Sequence, residues 1–474
     1  MRASAAGRRV LPAVPAAVPV SSAYSMLASM PKAHRPPGLP QTGEEYLLKR
    51  RPVEPLCAGS SNAQMRRHGG TAVLILLVLS VAINYLDRGV LSVSAPILQR
   101  ELTLSPTQMG LLFSAFFWSY SVFQLVAGWL VDRYEVKHIL SAGFLLWCLA
   151  TASVGWITGF GWLLASRVIL GVGESVAYPA YSRILARDVP EARRGFANAL
   201  VDAGSKVGPA VSTLAGGLLV GRFGWRALFL GMGLSGLLWL IPWTLIAPVG
   251  RASGKSNVEA RPARIPEILR RREIWGTCLG MFSLGYVWYF LLSWLPSYLV
   301  NERHFSLQSM AVLGSLPFSA MAVTSILGGW LSDRLIRSGH SATRVRKTFI
   351  TSGLLLCCVT LLPAAVVLSP RLCVILLVVS CSALGLFTSN VWAVTQTLAG
   401  PRAAGSWTGI QNAIGNLGGV ISPVLTGVVV SRTGSYYFAF AAASAMLVLG
   451  AMSYLFLIGE IRPLQWPQDK HSDA

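Results

Sequence analysis

Long apolar runs without a single charge recur from residue 71 to about residue 459, among them TAVLILLVLSVAIN from Thr71 and SAMLVLGAMSYLFLI up to Ile458. A helix needs about 20 such residues to cross the roughly 30 Å hydrocarbon core, and inside it every backbone amide must be paired within the segment. Those two conditions leave few folds open. Cutting the chain at Gly, Pro and charged clusters yields twelve candidate spans, beginning near residues 71, 106, 138, 162, 195, 225, 275, 307, 345, 372, 404 and 436. Composition agrees: only 12% of the residues are charged and 53% are hydrophobic, against about 25% charged in an average soluble domain.

The formal charge of +21 raises the possibility of nucleic acid, but the basic residues are concentrated in alternate loops. Nineteen Lys and Arg follow even-numbered spans, from Arg133 and Lys137 to Arg402, and six follow odd-numbered ones. By the positive-inside rule this places the even loops and both termini in the cytoplasm of a multi-pass inner-membrane protein, with the lipid bilayer and no nucleic acid as its surroundings. Of seven cysteines, Cys148, Cys278, Cys357, Cys358, Cys373 and Cys381 lie in apolar spans without C-x-x-C spacing, so neither a metal site nor a disulfide framework is indicated. No cofactor is expected. A phosphate loop, a metal-ligand cluster and a Ser/His/Asp arrangement are likewise missing from the sequence, which argues against an enzyme with catalytic residues of those kinds.

An internal repeat organises the spans. GWLVDR at 128–133 returns as GWLSDR at 329–334, five of six residues identical at a spacing of 201. The expected layout is an extension over 1–65, disordered or preceding a true start at Met65, then a six-helix bundle over 66–249, a polar cytoplasmic linker over 250–274, a second six-helix bundle over 275–460 and a cytoplasmic tail over 461–474. Ala, Pro, Ser and Arg dominate the extension, which resembles an organellar transit peptide in composition but lacks an amphipathic helix. The linker carries seven basic residues and is too polar for the bilayer.

Gly128, Asp132, Arg133 and Lys137, with the second copy at Gly329, Asp333 and Arg334, resemble the loop signature of the major facilitator superfamily. Arg167, Gly171 and Gly173 are similar to the R-x-x-x-G-x-G pattern of its proton-coupled members. NYLDRGVLSVSAP at 84–96, RVILGVGESVAYPA at 167–180 and FGWRALF at 223–229 resemble its anion:cation symporter family, in particular the bacterial hexuronate, galactonate and glucarate permeases. The resemblance implies an all-α membrane fold of twelve helices in two bundles. It further implies a monomeric secondary transporter that takes up a small organic anion with protons by alternating access.

Ionisable residues inside a span are costly and usually functional. Asp87 and Arg88 lie about 16 residues into the first span, roughly 24 Å along it. Arg167 and Glu174 are seven residues apart on the fourth, nearly two turns, and so share a face. On the functional reading Arg88 and Arg167 bind the carboxylate, since the planar guanidinium fork stays charged, and Asp87 and Glu174 carry protons. The bland alternative pairs Asp87 with Arg88 and Arg167 with Glu174 as structural neutralisation. Asp202 and Lys206, at i,i+4, form either a local ion pair or leave Lys206 free as a third substrate cation. By the family resemblance Tyr120, Ser389, Trp392 and Asn412 complete the substrate site, with Asn390 and Gln411 as substitutes. The same resemblance gives Asp132, Arg133, Asp333 and Arg334 a gating role in holding the outward-open state. Rival readings are an organic-anion or phosphate-ester exchanger without proton coupling, and a transporter-like membrane sensor.

Overall fold

The computed structural model describes residues 57–189, 191–247 and 263–466. The extension over 1–56, most of the linker and residues 467–474 lie outside that range. The chain divides into two units, Met1–Met65 and Arg66–Ala474, and the fold below is that of the second.

The first half comprises α1 (Cys57–Glu101), α2 (Pro106–Arg133), α3 (Val136–Ser153), α4 (Phe160–Glu174), α5 (Ala177–Asp188), α6 (Glu191–Val211), α7 (Gly217–Leu237) and α8 (Leu240–Ile246). In the second half are a short α9 (Ile265–Leu269), then α10 (Arg272–Ser297), α11 (Leu307–Arg337), α12 (Ala342–Val366), α13 (Pro370–Thr433) and α14 (Tyr437–Met452). Two glycines with left-handed φ divide what would otherwise be overlong helices. Gly224 (φ 78°) breaks α7, and Gly400 (φ 61°) breaks α13 just before Pro401. A side chain would be strained at either position, and Pro removes a helix donor.

Ten helices are long and apolar enough to cross a membrane. One of these, Leu200–Ile246, contains the Gly224 break and therefore supplies two spans. Adding the 28-residue α2 brings the total to twelve among the described residues, six in each half. They are numbered 1 to 12 below. Each expected start falls within five residues of an observed one.

Several starts have visible local causes. Ser105 and Gln108 form a capping box ahead of α2, with Pro106 at its first position. Ser306 and Ser369 cap α11 and α13 by accepting from the backbone N–H groups of Ser309 and Leu372. At the other end of the molecule the Lys137 ammonium donates to the carbonyls of Thr244 (2.8 Å) and Ala247 (2.9 Å). The lysine of the loop signature thus closes the C-terminus of α8, where unpaired carbonyls and the helix dipole favour a cation.

Residues at the loop 102–105 end of the first half join one continuous apolar core with the second half: Val90, Leu98, Met109 and Phe113 pack in the same cluster as Trp294, Met310 and Phe440. A separate core lies around Phe144, Trp147, Tyr181 and Trp243 of the first half, to which the second half adds Tyr289 and Leu292. Hydrogen bonds between described residues of different halves all lie toward the first end: Ser92 Oγ to Ser293 O (2.9 Å), Ser114 Oγ to Val420 O (2.8 Å) and Asn301 Nδ2 to Gln99 Oε1 (3.4 Å). Span 2 meets span 11 there with Gly110 on the Pro423 carbonyl and Gly427 on the Pro106 carbonyl, and Gly217 abuts Ala311. Small residues let the backbones come this close. The halves are therefore sealed at the loop 102–105 end.

The tail expected from residue 461 does not simply hang free. Ile461 N donates to Thr343 Oγ1, Leu464 N to Leu398 O (3.0 Å), and Trp466 Nε1 to Ala399 O (2.9 Å), while Arg271 Nη2 donates to Gln465 O (2.6 Å). Residues 461–466 thus strap the second half at the Gly400 break and supply donors for carbonyls that the break leaves without helix partners.

Candidate functional site

The R-x-x-x-G-x-G pattern acquires a steric meaning in the structure. A Cβ at Gly171 would collide with the Phe116 carbonyl on span 2, and one at Gly173 would crowd Trp147 and the Gly143 carbonyl on span 3. Span 4 is thereby wedged between two neighbours, which carries Arg167 and Glu174 into the bundle interior. On span 5, Gly204 and Gly208 lie against the Val78 and Ala82 carbonyls and against Tyr85 of span 1. That close approach sets span 1 with its Asp87 and Arg88 opposite span 4.

Asp87, Arg88, Arg167 and Glu174 are all buried, at 2%, 6%, 5% and 0% exposure, so they cannot be solvated at the surface. Arg88 Nε donates to Glu174 Oε2 at 3.0 Å, and Nη2 lies at the same distance from that oxygen. Neither of the pairings expected on the bland reading forms. Asp87 and Arg88 are neighbours in sequence and so point about 100° apart on a helix, and Arg88 pairs with Glu174 instead. Among the described residues Arg167 has no ion pair, and its Nε is unpaired.

Aromatic rings enclose the Arg88 guanidinium. Its central carbon lies 4.7 Å from the centroid of Tyr85, 4.5 Å from Phe116 and 4.9 Å from Tyr120. Arg167 also lies over Phe116, at 5.7 Å. Such faces stabilise a cation without neutralising it, which leaves its charge available to an anion. Tyr120 stacks on Phe116, and Gln124 Nε2 donates to its hydroxyl at 3.4 Å. From the second half, Tyr289 packs edge-on to Phe117 at 4.4 Å and donates to Asn416 Oδ1 at 3.3 Å. Tyr178 completes the wall through a 3.5 Å contact with the Tyr85 hydroxyl.

The other residues singled out from the sequence are placed less uniformly. Lys206 forms the i,i+4 pair with Asp202 at 2.6 Å; Lys206 is buried while the Asp202 side chain is half exposed. Ser389 donates to Leu386 O (2.7 Å), accepts from Asn390 Nδ2 (2.8 Å) and packs on Gly328 of span 8. Its hydroxyl is thus engaged at the contact of spans 8 and 10. Asn390 is tied in turn to Ser332 at 2.7 Å. Trp392 and Asn412 are half-buried, and Gln411, fully buried, accepts from Thr395 at 2.6 Å. In the two loop repeats Arg133 lies over Trp129 (5.5 Å) and Arg334 over Trp330 (5.3 Å), a parallel that follows the sequence repeat. Arg133, Asp333 and Arg334 are exposed, and the side chain of Asp132 lies outside the described set.

Sequence reasoning did not single out Tyr85, Phe116, Tyr289 or Asn416. Tyr85 stands inside the NYLDR segment and was within reach of motif reading. Nothing in a run as apolar as LGYVWYFLLSWL separates Tyr289 from packing residues. No group of three or more His, Cys, Asp or Glu able to hold a metal occurs among the described residues.

A sequence profile of the Major Facilitator Superfamily matches residues 77–423. The chain is 31% identical over 418 residues to the probable sulfoacetate transporter SauU of Cupriavidus necator, covering 85% of this chain and 96% of that one. It is 30% identical over 405 residues to the hexuronate transporter of Bacillus subtilis (83% and 94% covered). With the probable galactarate/D-glucarate transporter GudP of the same species it shares 29% over 420 residues (82% and 92%). Among solved structures, the inward-facing, unoccupied form of a bacterial homologue of the human lysosomal transporter Spinster superposes with a TM-score of 0.70 at 20% identity, covering 82% of this chain and 97% of that one, a likeness of fold. Twelve apolar spans, two repeated halves and charged groups buried within the spans meet that profile over most of the chain: the protein belongs to the major facilitator superfamily and is a membrane transporter, not an enzyme.

Proposed function

We propose that the protein imports a small organic monoanion, a hexuronate or aldonate, together with a proton. The observation that carries this reading is the buried Arg88–Glu174 pair inside its aromatic cage. A substrate carboxylate that takes the Arg88 fork must displace Glu174. Once displaced, Glu174 sits in a low-dielectric site without its cation, where a carboxyl favours the protonated form. Anion binding and proton uptake are then one exchange of partners. Similarity to transporters named for hexuronate, galactarate/D-glucarate and sulfoacetate supports an organic anion as cargo.

Charge balance favours one carboxylate over two. Arg88, Arg167 and Lys206 are offset by Asp87, Glu174 and Asp202, and Lys206 is already occupied by Asp202. A monoanion entering with one proton preserves that neutrality. Tyr85, Tyr120, Tyr178 and Asn416 supply hydroxyl and amide groups for the sugar hydroxyls, which need partners away from water; Trp392 and Asn412 are assigned to the same task from the second half.

In this reading the GWLxDR end faces the cytoplasm of the inner membrane, as the excess of basic residues there favours, and the sealed end faces outward. The conformation is then inward-facing, and rocking of the halves exchanges it for an outward-facing one. Arg133, Asp333 and Arg334, with Asp132, are free to meet across the halves in the outward-facing state and act as its gate. The protein works as a monomer.

Uptake into proteoliposomes across a panel of D-glucuronate, D-galactonate, D-glucarate, sulfoacetate and a sugar phosphate, with and without an inward proton gradient, tests the proposal. Gradient-dependent accumulation of a monocarboxylate is the expected result. Uptake that is indifferent to the gradient overturns proton coupling and points to an exchanger. Failure of all the acids overturns the cargo class.

A further inference from the structure

The internal repeat extends to the sealed end. Thr103 (φ 51°) and His304 (φ 57°), the two non-glycine residues with left-handed φ among the described residues, are 201 residues apart, the same offset as the GWLxDR copies. Two residues further on, Ser105 and Ser306 cap spans 2 and 8. The turns that end spans 1 and 7 are thus counterparts. His304 stands where a helix ordinarily ends on Gly, the residue that takes this conformation without strain. Backbone bonds from Arg303 N to Tyr298 O (3.1 Å) and from Phe305 N to Leu299 O (2.9 Å) hold the turn on both sides of it. Strain of this kind gathers where a side chain has a task.

The His304 side chain lines a cavity of about 300 Å³ on the seam between the halves. Ile97 and Arg100 of span 1 form one wall, and Val300, His304 and Phe305 at the end of span 7 form the other. The Asn301–Gln99 bond (3.4 Å) crosses the seam from the residues next to Val300 and Arg100. Arg100 and His304 are exposed, and among the described residues neither side chain has a hydrogen bond or ion pair. No described Asp or Glu lines the cavity. The two acids of these turns are engaged elsewhere. Glu101 accepts from Trp225 Nε1 (2.8 Å) and pairs with Arg226 (3.1 Å), while Glu302 accepts from Ser435 Oγ (3.3 Å) and Tyr436 N (2.7 Å). The Arg100 charge is left without a counter-charge on the cavity wall.

We infer that this cavity is a second anion site, separate from the Arg88 cluster, which takes a small oxyanion, above all a carboxylate, between Arg100 of the first half and His304 of the second. Guanidinium offers two parallel donors to a planar oxyanion, and imidazole has an N–H to donate in either protonation state. The volume is at the lower end of the range for small-molecule pockets, which suits a small acid. Because each half supplies one wall, the site is whole only while the loop 102–105 end is shut. A ligand that binds one conformation shifts the equilibrium toward it. Bound anion therefore bolts this end closed, and an excess of it slows the step in which the halves rock apart there.

Labelling of Ser114→Cys by an impermeant maleimide, read against the parent, follows opening of this end in the purified full-length protein, where orientation in the membrane does not matter. D-glucuronate, acetate and inorganic phosphate are each compared with chloride at equal ionic strength. At ten times its dissociation constant, an anion held only by the closed form favours that form about tenfold, and labelling is expected to slow by about that factor. Arg100→Gln and His304→Asn, the latter because Asn accepts a left-handed φ, are each expected to raise the anion concentration for half effect by about fivefold or more. Arg432→Gln, an exposed cation at the same end, is expected to leave it unmoved. Slowing by all three anions marks a general oxyanion site and slowing by D-glucuronate alone a sugar-acid site; both support the inference. Labelling that none of them slows beyond chloride overturns it, as does slowing that survives in both variants, which puts the anion at the central site. Uptake tests the proton-coupled reading and labelling tests this site, so either fails without the other.

Discussion

Arg88 reaches across from span 1 to Glu174 on span 4, at 3.0 Å, and turns away from Asp87, its neighbour in sequence. That choice of partner makes Glu174 the group a substrate must displace. Removing its charge while keeping its shape separates binding from coupling. Glu174→Gln is expected to bind and exchange the anion as well as wild type or better, and to lose proton-driven accumulation by about tenfold or more, a single neutralised step of roughly 1.4 kcal/mol. Counterflow and gradient-driven uptake of the same labelled acid measure the two quantities; equal loss of both would sink the assignment.

The guanidinium fork itself is tested by Arg88→Lys. An ammonium keeps the charge within the Tyr85, Phe116 and Tyr120 cage but presents no planar pair of donors. Loss of one charge-assisted bond, about 1.5 to 3 kcal/mol, corresponds to roughly 10- to 150-fold weaker binding. Isothermal titration or scintillation proximity on purified protein reads it directly, with Arg88→Ala expected to fall below detection.

Asp202 holds Lys206 at 2.6 Å and is itself half exposed. Asp202→Asn releases the ammonium toward the cavity. Competition for uptake by D-glucarate, relative to D-glucuronate, is then expected to improve by about fivefold, the gain of one partly solvated ion pair near 1 kcal/mol. An unchanged ratio would mean that Lys206 does not reach the substrate.

Closure at the loop 102–105 end depends on backbone contact between spans 2 and 11. At Gly110 an added Cβ would collide with the Pro423 carbonyl. Gly110→Val is accordingly expected to prop this end open, at an overpacking cost of about 1–3 kcal/mol to the sealed state. A cysteine introduced at Ser114, whose hydroxyl now bonds Val420 O, reports the change: labelling by an impermeant maleimide should accelerate several-fold over the same cysteine with Gly110 intact.

Trp466 anchors the strap over the Gly400 break through its indole bond to the Ala399 carbonyl. Trp466→Ala is expected to lower stability by about 3 kcal/mol, the order of a largely buried aromatic truncated in place, and to reduce the detergent melting temperature by several degrees. A melting curve that does not move would show the strap to be without weight.

Much of this architecture is determined by the sequence alone, because its causes are local. Charge-free runs such as Thr71 to Asn84 must be helical in lipid, Gly224 and Gly400 mark breaks that only glycine adopts without strain, and Ser105-Pro106 announces a helix start. The repeat of GWLxDR after 201 residues divides the spans into halves. Asp87, Arg88, Arg167 and Glu174 declare themselves by being charged where charge is costly.

Their pairing was another matter. Arg88 is adjacent to Asp87 in the chain, yet pairs with Glu174, 86 residues away, since consecutive side chains on a helix diverge by about 100°. Which partner each meets depends on how spans 1, 3 and 4 cross, and that is set by contacts at Gly171, Gly173, Gly204 and Gly208 that no spacing within a single helix encodes. For the same reason Tyr289 and Asn416, apolar-looking or isolated in sequence, become a wall of the central site only when spans 7 and 11 pack together. Periodicity says which groups lie in the membrane; the crossing of helices distant in sequence decides which of them touch.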